Sequence, residues 1–431
     1  MPLPIMHQTA PLTPSWSLLE KIGFRFFFLF FFPQLFEALF SLFLHGGSIG
    51  DFYQHIWDTT INWAGRTFFN IPKITIRPNG SGDTTWNWVQ LFLISSTAFI
   101  GTVVWSIADR KRAHYHSFNY WFCVLLRFYL GITMLSYGFA KVFFSQFGTI
   151  TTYRLFEQLG DMSPMGLLWT FMAFSKGYQF FTGMGEVIGG FLLFFRRTTL
   201  LGSLIIVAVM SNVVILNFFY DVPVKIFSSQ LLLAAFYLIA PDIKRLMYFF
   251  VLNQPTPARD YPLFSSKKWF KWGRLGLKTL LIGSYIIMGC MQGYQSWQYQ
   301  ESPQSALYGP YEVVDFKKNN QIVSPTDTLR WERVFLDRRG SFDMISITNS
   351  QGFQQRIGFE YNQAKHSFTL KEWYGDDKKY PFSYTQPDSS TLFLKGKWKD
   401  DSLSMKLQKI KKPFLLTSRG FHWVNETPFN K

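Results

Sequence analysis

Ionisable side chains lie inside long apolar segments of this sequence, where a charged group is energetically costly. The candidates are Glu37, Arg127, Lys141 and Glu186. A charged side chain at the centre of a membrane-spanning helix costs about 2.5–3.5 kcal/mol on insertion scales. Because such a residue is retained when it is paired or faces a cavity, these four are candidates for a buried charged pair or for ligand binding.

Arg127 and Glu186 form the predicted buried pair. Arg127 and Lys141 lie fourteen residues apart, within roughly 40° of one face of the same helix. If neighbouring antiparallel segments end at one membrane edge, Arg127 lies about 10 Å and Glu186 about 13 Å from that edge. Lys141 lies farther from it, near the depth of Glu37. The pair would either hold the helices in register or belong to a functional site, and both interpretations stay open.

Small residues accompany these charges. Gly131 and Gly138 share the face of the arginine, and Gly183 and Gly190 flank Glu186 at helical spacing. Small residues let membrane helices approach closely, because no side chain separates their backbones. The pattern predicts that these two helices pack directly against each other.

Two further polar groups are candidate sites. Asn217 and Asp221 are one helical turn apart, and Lys225 follows them, which predicts a polar cap at the outer mouth of the bundle. Near the end of the chain, three more polar and aromatic candidates stand close together: His422, Trp423 and Glu426. These three would either form a site or belong to a final strand and plug that closes a β-barrel. The plug is the preferred interpretation, and no metal site is predicted.

Long helices are needed to position these side chains, and the composition is suited to them. Hydrophobic residues make up 48% of the 431 residues and charged residues only 16%. A soluble domain carries about 25% charged residues. Apolar runs of about 20 residues predict membrane spans. The seven predicted spans are Ile22–Leu44, Trp86–Trp105, Tyr120–Phe144, Gly177–Phe195, Thr199–Phe219, Ile226–Ala240 and Thr279–Met291.

The charge distribution predicts an orientation. The net charge of +16 is concentrated in the loops after the second, fourth and sixth spans, and the last of these holds Lys268 and Lys271. Basic loops stay in the cytoplasm, so the N-terminus is predicted inside a bacterial inner membrane and the region after the seventh span outside it. The bilayer, rather than nucleic acid, is therefore the predicted partner of the basic residues. His55–Asn70 is predicted to lie on the outer surface as an amphipathic helix, and Pro164–Ser175 is too short to cross.

The composition changes at about Ser302, where short alternating segments begin. Regular strands of this kind predict an antiparallel β-barrel resembling the lipocalins. Such a barrel would either enclose a small apolar ligand or be filled by its own side chains and serve as a docking module. The predicted strands are YEVVDF, RWERVFLD, SFDMISITN, QRIGFEYN, SFTLKEW, PFSYTQ, TLFLKGKW, SLSMKLQKI and FLLTSRGFHW.

Residues Phe122–Asp242 resemble the DoxX family of four-helix membrane proteins. The resemblance rests on LRFYLGITMLSYGFAKVF at Leu126–Phe143 and on GMGEVIGGFLLFFRRTTLLG at Gly183–Gly202. Together with the predicted spans and the change of composition near Ser302, it divides the chain into four predicted domains: 1–118 (two spans and an outer loop), 119–245 (four-helix core), 246–301 (basic loop and last span) and 302–431 (β-domain). Arg127, Lys141 and Glu186 match the family pattern.

The resemblance implies a redox-associated membrane subunit that binds a quinone-like lipid. The predicted pocket would be lined by aromatic residues and anchored by Lys141 and Asp221. Cys123 and Cys290 are the two cysteines, and with no CxxC pair a thiol-redox role is not supported. The alternative is a non-enzymatic, membrane-anchored factor whose outer β-domain binds a lipid, a peptide or an envelope protein.

The orientation can be tested with topology reporters. An alkaline phosphatase fused after Lys431 should be active, because the enzyme matures only outside the cytoplasm, and one inserted near Lys268 should be inactive. Activity measurements in intact bacteria, with expression checked by immunoblotting, provide the readout. The same result at both positions would show that the number of spans between them is even.

Overall fold

The computed structural model describes residues 15–44, 48–75, 80–256, 268–327, 330–339, 342–362, 364–372 and 378–430. The chain divides into two compact units. The helical unit comprises Met1–Gly138 and Thr182–Ile282, and the barrel unit comprises Phe139–Phe181 and Gly283–Lys431. The division differs from the predicted domain boundaries, because segments 139–181 and 283–301 group with the β-domain rather than with the helices.

The described helices include both long apolar helices and short connecting ones. They are α1 (Leu18–Leu44), α2 (Ser48–Phe69), α3 (Thr85–Ala108), α4 (His116–Val142), α5 (Thr152–Phe156), α6 (Pro164–Phe174), α7 (Lys176–Leu193), α8 (Thr199–Phe219), α9 (Lys225–Ile239), α10 (Ile243–Leu246), α11 (Lys268–Glu301) and α12 (Leu415–Ser418). Single 3-10 turns at Leu159–Asp161 and Ala240–Asp242 and a π-turn at Met247–Val251 complete the set.

Six of the described helices are long and apolar enough to cross a bilayer, which makes the chain a multi-pass membrane protein. They are Leu18–Leu39, Thr85–Ala108, His116–Val142, Thr199–Phe219, Lys225–Val251 and Trp272–Glu301. The fourth predicted span does form a helix, α7, but this helix is not one of those six. The amphipathic helix and the short helix after Pro164 are both present, as α2 and α6.

One predicted boundary is wrong. Lys268 and Lys271 were assigned to a loop before the predicted span Thr279–Met291, whereas α11 already begins at Lys268 and runs for 34 residues. Basic residues continue a helix as readily as leucine does, so a group of lysines does not mark where a helix begins.

Glycines set the spacing between α4, α7 and α8 in the helical unit. A Cβ atom added at Gly131 would lie 3.1 Å from the carbonyl oxygen of Gly190, and one added at Gly138 would lie 2.9 Å from that of Gly183. On the other side of α7, a Cβ atom at Gly202 would lie 2.8 Å from the carbonyl oxygen of Gly189. The predicted direct packing of the two helices is confirmed, and α7 makes a similar contact with α8.

The barrel unit contains a closed antiparallel β-barrel of eight strands, with the short β2 added at the end of β1. Each strand pairs with the next in the order β1, β3 to β9, and β9 pairs with β1 to close the barrel. The strands are β1 (Gly309–Lys318), β2 (Gln321–Ile322), β3 (Trp331–Arg339), β4 (Phe342–Asn349), β5 (Gln354–Asn362), β6 (Ser367–Lys371), β7 (Lys379–Thr385), β8 (Thr391–Trp398) and β9 (Asp401–Lys409).

The barrel interior is packed with side chains. Alternate residues of the strands form one continuous buried cluster that includes Tyr311, Trp331, Phe368 and Phe382. This favours the filled barrel over a barrel that encloses a ligand. The ninth predicted strand, FLLTSRGFHW, is wrong: its first part forms α12 and the rest has no regular structure. It is not needed as a strand, because the β1–β9 pairing already uses the barrel edges.

Asp337 on β3 explains why segment 139–181 groups with the barrel. Its carboxylate accepts hydrogen bonds from the backbone N–H and hydroxyl of Thr152, both at 2.8 Å, and from the N–H of Tyr153 at 3.2 Å. Burial raises the pKa of Asp337, and these hydrogen bonds act against that rise. The carboxylate thereby caps the N-terminus of α5, a favourable position for a negative charge.

The last turns of α11 belong to the barrel unit for similar reasons. Arg338 donates hydrogen bonds to the carbonyl oxygen of Tyr299 at 2.8 Å and to the hydroxyl of Ser302 at 2.7 Å. Gly293 lies directly against the Phe143 ring, and a Cβ atom added there would overlap the ring. These contacts join segments 139–181 and 283–301 to the strands within one unit.

The glycine contacts can be tested with a matched pair of alanine substitutions. Gly190→Ala should destabilise the protein by about 1–3 kcal/mol, because the new methyl group would overlap the backbone of α4. Gly283→Ala has open space around it and should be neutral or slightly stabilising, since alanine favours the helix over glycine. Thermal unfolding in detergent measures both. Equal melting temperatures for the two variants would contradict the close contact at Gly190.

Candidate functional site

A cavity of about 420 Å³ lies in the helical unit among α1, α3, α4 and α9. α1, α3 and α9 each contribute residues from one face, at spacings of three and four positions, as in the run Gln34, Glu37 and Ala38 of α1, and α4 contributes Tyr129. Pro33 also lines it and leaves the α1 backbone without one of its hydrogen bonds at this level. The cavity therefore contains the predicted residue Glu37, in a helix whose regular bonding is interrupted beside it.

The lining is mixed in character. Amide side chains come from three helices: Gln34 on α1, Gln90 on α3 and Gln230 on α9. Aromatic side chains of Trp57, Tyr129 and Phe227 complete the wall. Amides donate and accept hydrogen bonds, and Glu37 adds a carboxyl group, so the cavity suits a mainly apolar molecule that carries carbonyl or hydroxyl groups.

Gln34 has an unusual environment. Both polar atoms of its side-chain amide are buried, and among the described residues neither has a hydrogen-bond partner. Leaving a buried polar group without a partner costs about 1–3 kcal/mol. A group that costs so much is expected to bind something, and the space beside it is the cavity.

The wall formed by α9 is held in place by Asp83, which lies in the loop before α3. Its carboxylate accepts hydrogen bonds from the backbone N–H groups of Lys225 at 2.8 Å and of Ile226 at 3.0 Å. Gly82 also donates its N–H to the carbonyl oxygen of Pro223 at 2.8 Å. Ile226 lines the cavity, so this cap fixes the start of α9 against it.

The predicted Arg127–Glu186 pair is not formed. The Arg127 guanidinium donates to the Thr199 hydroxyl at 3.4 Å instead. Gly131 faces Gly190 and Gly138 faces Gly183, a register that sets Glu186 level with Leu135. Arg127 is eight residues from that level, about 12 Å along the helix.

The predicted depths of Arg127 and Glu186 were wrong because the two helices do not end at one edge. In the observed register α4 extends from His116 about three turns beyond the end of α7 at Leu193. The predicted depths hold only for helices whose ends are aligned. Glu186 is nevertheless buried, with 2% exposure, as its place in an apolar helix predicts.

The predicted polar cap of Asn217, Asp221 and Lys225 is split in two. Asn217 is buried and donates to the Ser228 hydroxyl at 3.0 Å, which joins α8 to α9. The Asp221 side chain is 82% exposed and accepts from the Lys225 ammonium group at 2.8 Å. The Lys225 ammonium group also lies 3.8 Å from the carboxylate of Asp83. Asp83, which was not predicted, is therefore the buried counter-charge of Lys225.

The remaining candidates do not line the cavity. Lys141 is buried and belongs to the barrel unit, and exposed Asp221 is also absent from the lining, so the predicted anchors are replaced by Gln34 and Glu37. His422, Trp423 and Glu426 are exposed, Trp423 to 91%, and neither plug the barrel nor surround a cavity. The plug prediction is wrong because β9 closes the barrel. Neither Cys123 nor Cys290 forms a disulfide.

The barrel unit has a cavity of its own, of about 220 Å³, beside the barrel wall. Arg154 and Arg356 line it, with Ser163, Tyr153 and Trp169 among its other residues. Arg154 is paired with Glu157, which follows it by three residues. Burial, followed by the nearby Arg154 guanidinium, lowers the pKa of Arg356. The cavity thus presents one arginine more than its paired carboxylate neutralises.

Several residues that matter in the structure were not among the predicted candidates, although their sequence positions were unusual. The three glutamines of the cavity are uncharged, yet a glutamine within an apolar span is itself costly. Arg25, inside the Phe-rich run of α1, is buried and bonded to the Tyr115 hydroxyl at 2.7 Å and to the Ser106 hydroxyl at 2.8 Å. Its position within an apolar run could have indicated that Arg25 is buried and needs partners.

Comparison with known proteins gives one informative match. The chain is 31% identical over 136 residues to Uncharacterized protein YwoB of Bacillus subtilis (strain 168). The match covers 31% of this chain and 84% of YwoB. No family model matches the chain, and no solved structure matches it.

A double-mutant cycle tests whether Arg127 and Glu186 are indeed out of contact. The effects of Arg127→Met and Glu186→Gln on thermal stability in detergent should be additive within about 0.5 kcal/mol, because the two side chains lie at different depths. Arg25→Met with Tyr115→Phe is the matched control and should show coupling of about 1 kcal/mol or more, since those two are hydrogen-bonded. Strong coupling between Arg127 and Glu186 would restore the buried pair.

Proposed function

The chain belongs to the family of YwoB over the 136 residues that the two share. For this multi-pass membrane protein we propose that the helical unit binds a quinone-like isoprenoid lipid in the cavity that Gln34 and Glu37 line. The protein acts as a redox-associated subunit of a bacterial inner membrane, with the barrel unit in the periplasm.

The observation that carries this proposal is the buried amide of Gln34. Its N–H₂ group matches the carbonyl oxygen of a quinone head group, and the nearby Glu37 carboxyl matches the hydroxyl of the reduced form. The aromatic side chains of Trp57, Tyr129 and Phe227 offer flat apolar surfaces to the ring. A membrane lipid can also reach such a cavity from the bilayer without crossing water.

The role is one of binding and positioning. With no CxxC pair in the sequence, electrons would come from a partner protein rather than from a thiol pair of this chain. The resemblance of Phe122–Asp242 to the DoxX family points in the same direction.

A binding function without redox chemistry is the second candidate. The filled barrel and the cavity with Arg154 and Arg356 favour it, because they give the barrel unit a basic recess beside a rigid wall. In this case the barrel unit would bind an acidic group of an envelope protein, peptide or lipid, and the helices would serve as its anchor.

The quinone proposal is tested with Gln34→Leu. The protein is purified in mild detergent and its extracted lipids are analysed for quinone by chromatography with redox difference spectra. Losing a hydrogen bond of about 0.5–1.5 kcal/mol should lower the bound quinone by up to about tenfold. In quinone-free protein the same substitution should raise the melting temperature, because a buried amide without a partner has been removed.

Gln292→Leu is the matched control, since Gln292 is an exposed glutamine of a long apolar helix. It should leave the quinone content unchanged. Wild-type protein that carries no quinone, and binds none when ubiquinone or menaquinone is added, would rule out the proposal. A stoichiometric envelope protein in the same preparation would favour the second candidate.

A further inference from the structure

Basic side chains gather where α7 ends and α8 begins, beside α4 and α11. They are Arg127, Arg196, Arg274 and Lys278, all in the helical unit. Arg127 lies within electrostatic range of Arg196 and Arg274, and Lys278 within range of Arg127 and Arg274. We call these four residues the basic cluster. Like charges this close repel one another, so the cluster is costly unless an anion joins it.

Aromatic rings hold three of these cations in place. The Lys278 ammonium group lies 4.3 Å from the centre of the Phe195 ring, and the Arg196 guanidinium 5.4 Å from that of Tyr120. The Arg127 guanidinium lies 5.6 Å from the centre of the Phe128 ring. Cation–π contacts orient a cation but leave its charge in place.

Within the residues that the structure describes, no carboxylate forms an ion pair with Arg127, Arg274 or Lys278. The Nε atom of Arg127 is also buried without a hydrogen-bond partner there. The 3.4 Å hydrogen bond to Thr199 satisfies one nitrogen of the guanidinium, and a long bond of this kind is weak. Arg127 thus retains donors for an acceptor outside the protein.

The first turn of α8 adds donors of its own. Its N-cap residue, Thr198, accepts no hydrogen bond from the turn and instead donates its hydroxyl to the carbonyl oxygen of Leu192 at 2.7 Å. The first N–H groups of a helix carry partial positive charge and attract anions when no side chain caps them. The cations of the basic cluster and the N-terminus of α8 therefore both favour an anionic ligand.

We propose that the basic cluster binds the phosphate group of an anionic phospholipid. The segments that carry the basic cluster also carry exposed apolar side chains, namely those of Leu125, Phe191, Phe195, Leu277 and Leu281. Acyl chains would cover this surface, whereas a free phosphate ion would leave it exposed. Basic residues between membrane helices near the bilayer edge are a recurring lipid head-group site.

The test compares lipids on purified full-length protein. Phosphatidylglycerol added in detergent should raise the melting temperature of the wild type, and phosphatidylcholine should not. Arg127→Gln combined with Lys278→Gln should require about tenfold more phosphatidylglycerol for the same rise, because charge-assisted hydrogen bonds are lost. Lys278→Gln alone changes a side chain that packs on a single ring, and it should show a smaller loss in the same direction.

Arg110→Gln with Lys111→Gln is the matched control. It removes two positive charges from exposed positions and should respond to phosphatidylglycerol like the wild type. Equal effects of the two lipids, or an unchanged response of the double variant, would overturn the proposal. Inorganic phosphate that stabilises the wild type at the same concentration as the lipid would also overturn it, in favour of a free-anion site.

Discussion

Polar groups among apolar helices must find their partners inside the protein, because the bilayer core offers none. Arg25 meets this requirement with bonds to Tyr115 and Ser106, and Asn217 meets it with Ser228. Where the requirement is met, the polar group fastens helices together. Where it is not, as at Gln34 and at the Nε atom of Arg127, the protein has a position that a ligand can satisfy.

The same constraint explains the spacing of the helices. Backbones that touch at glycines gain contact area without any polar side chain, which is how α7 packs against both α4 and α8. Glu186 on α7 is then buried within the bundle, while α1, α3, α4 and α9 surround the cavity. The longer polar side chains of Gln34, Gln90 and Gln230 line the cavity instead of the glycine contacts.

Much of the architecture could be predicted from the sequence, because apolar length and alternation are local properties. The long helices, the short helix after Pro164 and eight of the barrel strands follow from such patterns. The contacts among charged residues could not be predicted in the same way. The pairing of Arg127 depends on how far α4 extends beyond α7, and only the glycine contacts fix that offset. Asp83 and Asp337 were missed because each caps a helix that is distant in sequence.

Two of the unsatisfied positions, Gln34 and the Nε atom of Arg127, lie toward opposite ends of α8. The basic cluster surrounds its first turn, and the cavity is bounded by the start of α9, which follows the turn after its last residue. The 21 residues of α8 span about 30 Å, the thickness of the hydrocarbon core. An anionic head group on one side and an isoprenoid ring on the other would therefore bind without competing. If the basic end faces the cytoplasm, as the positive-inside rule predicts, the cavity lies in the outer half of the membrane.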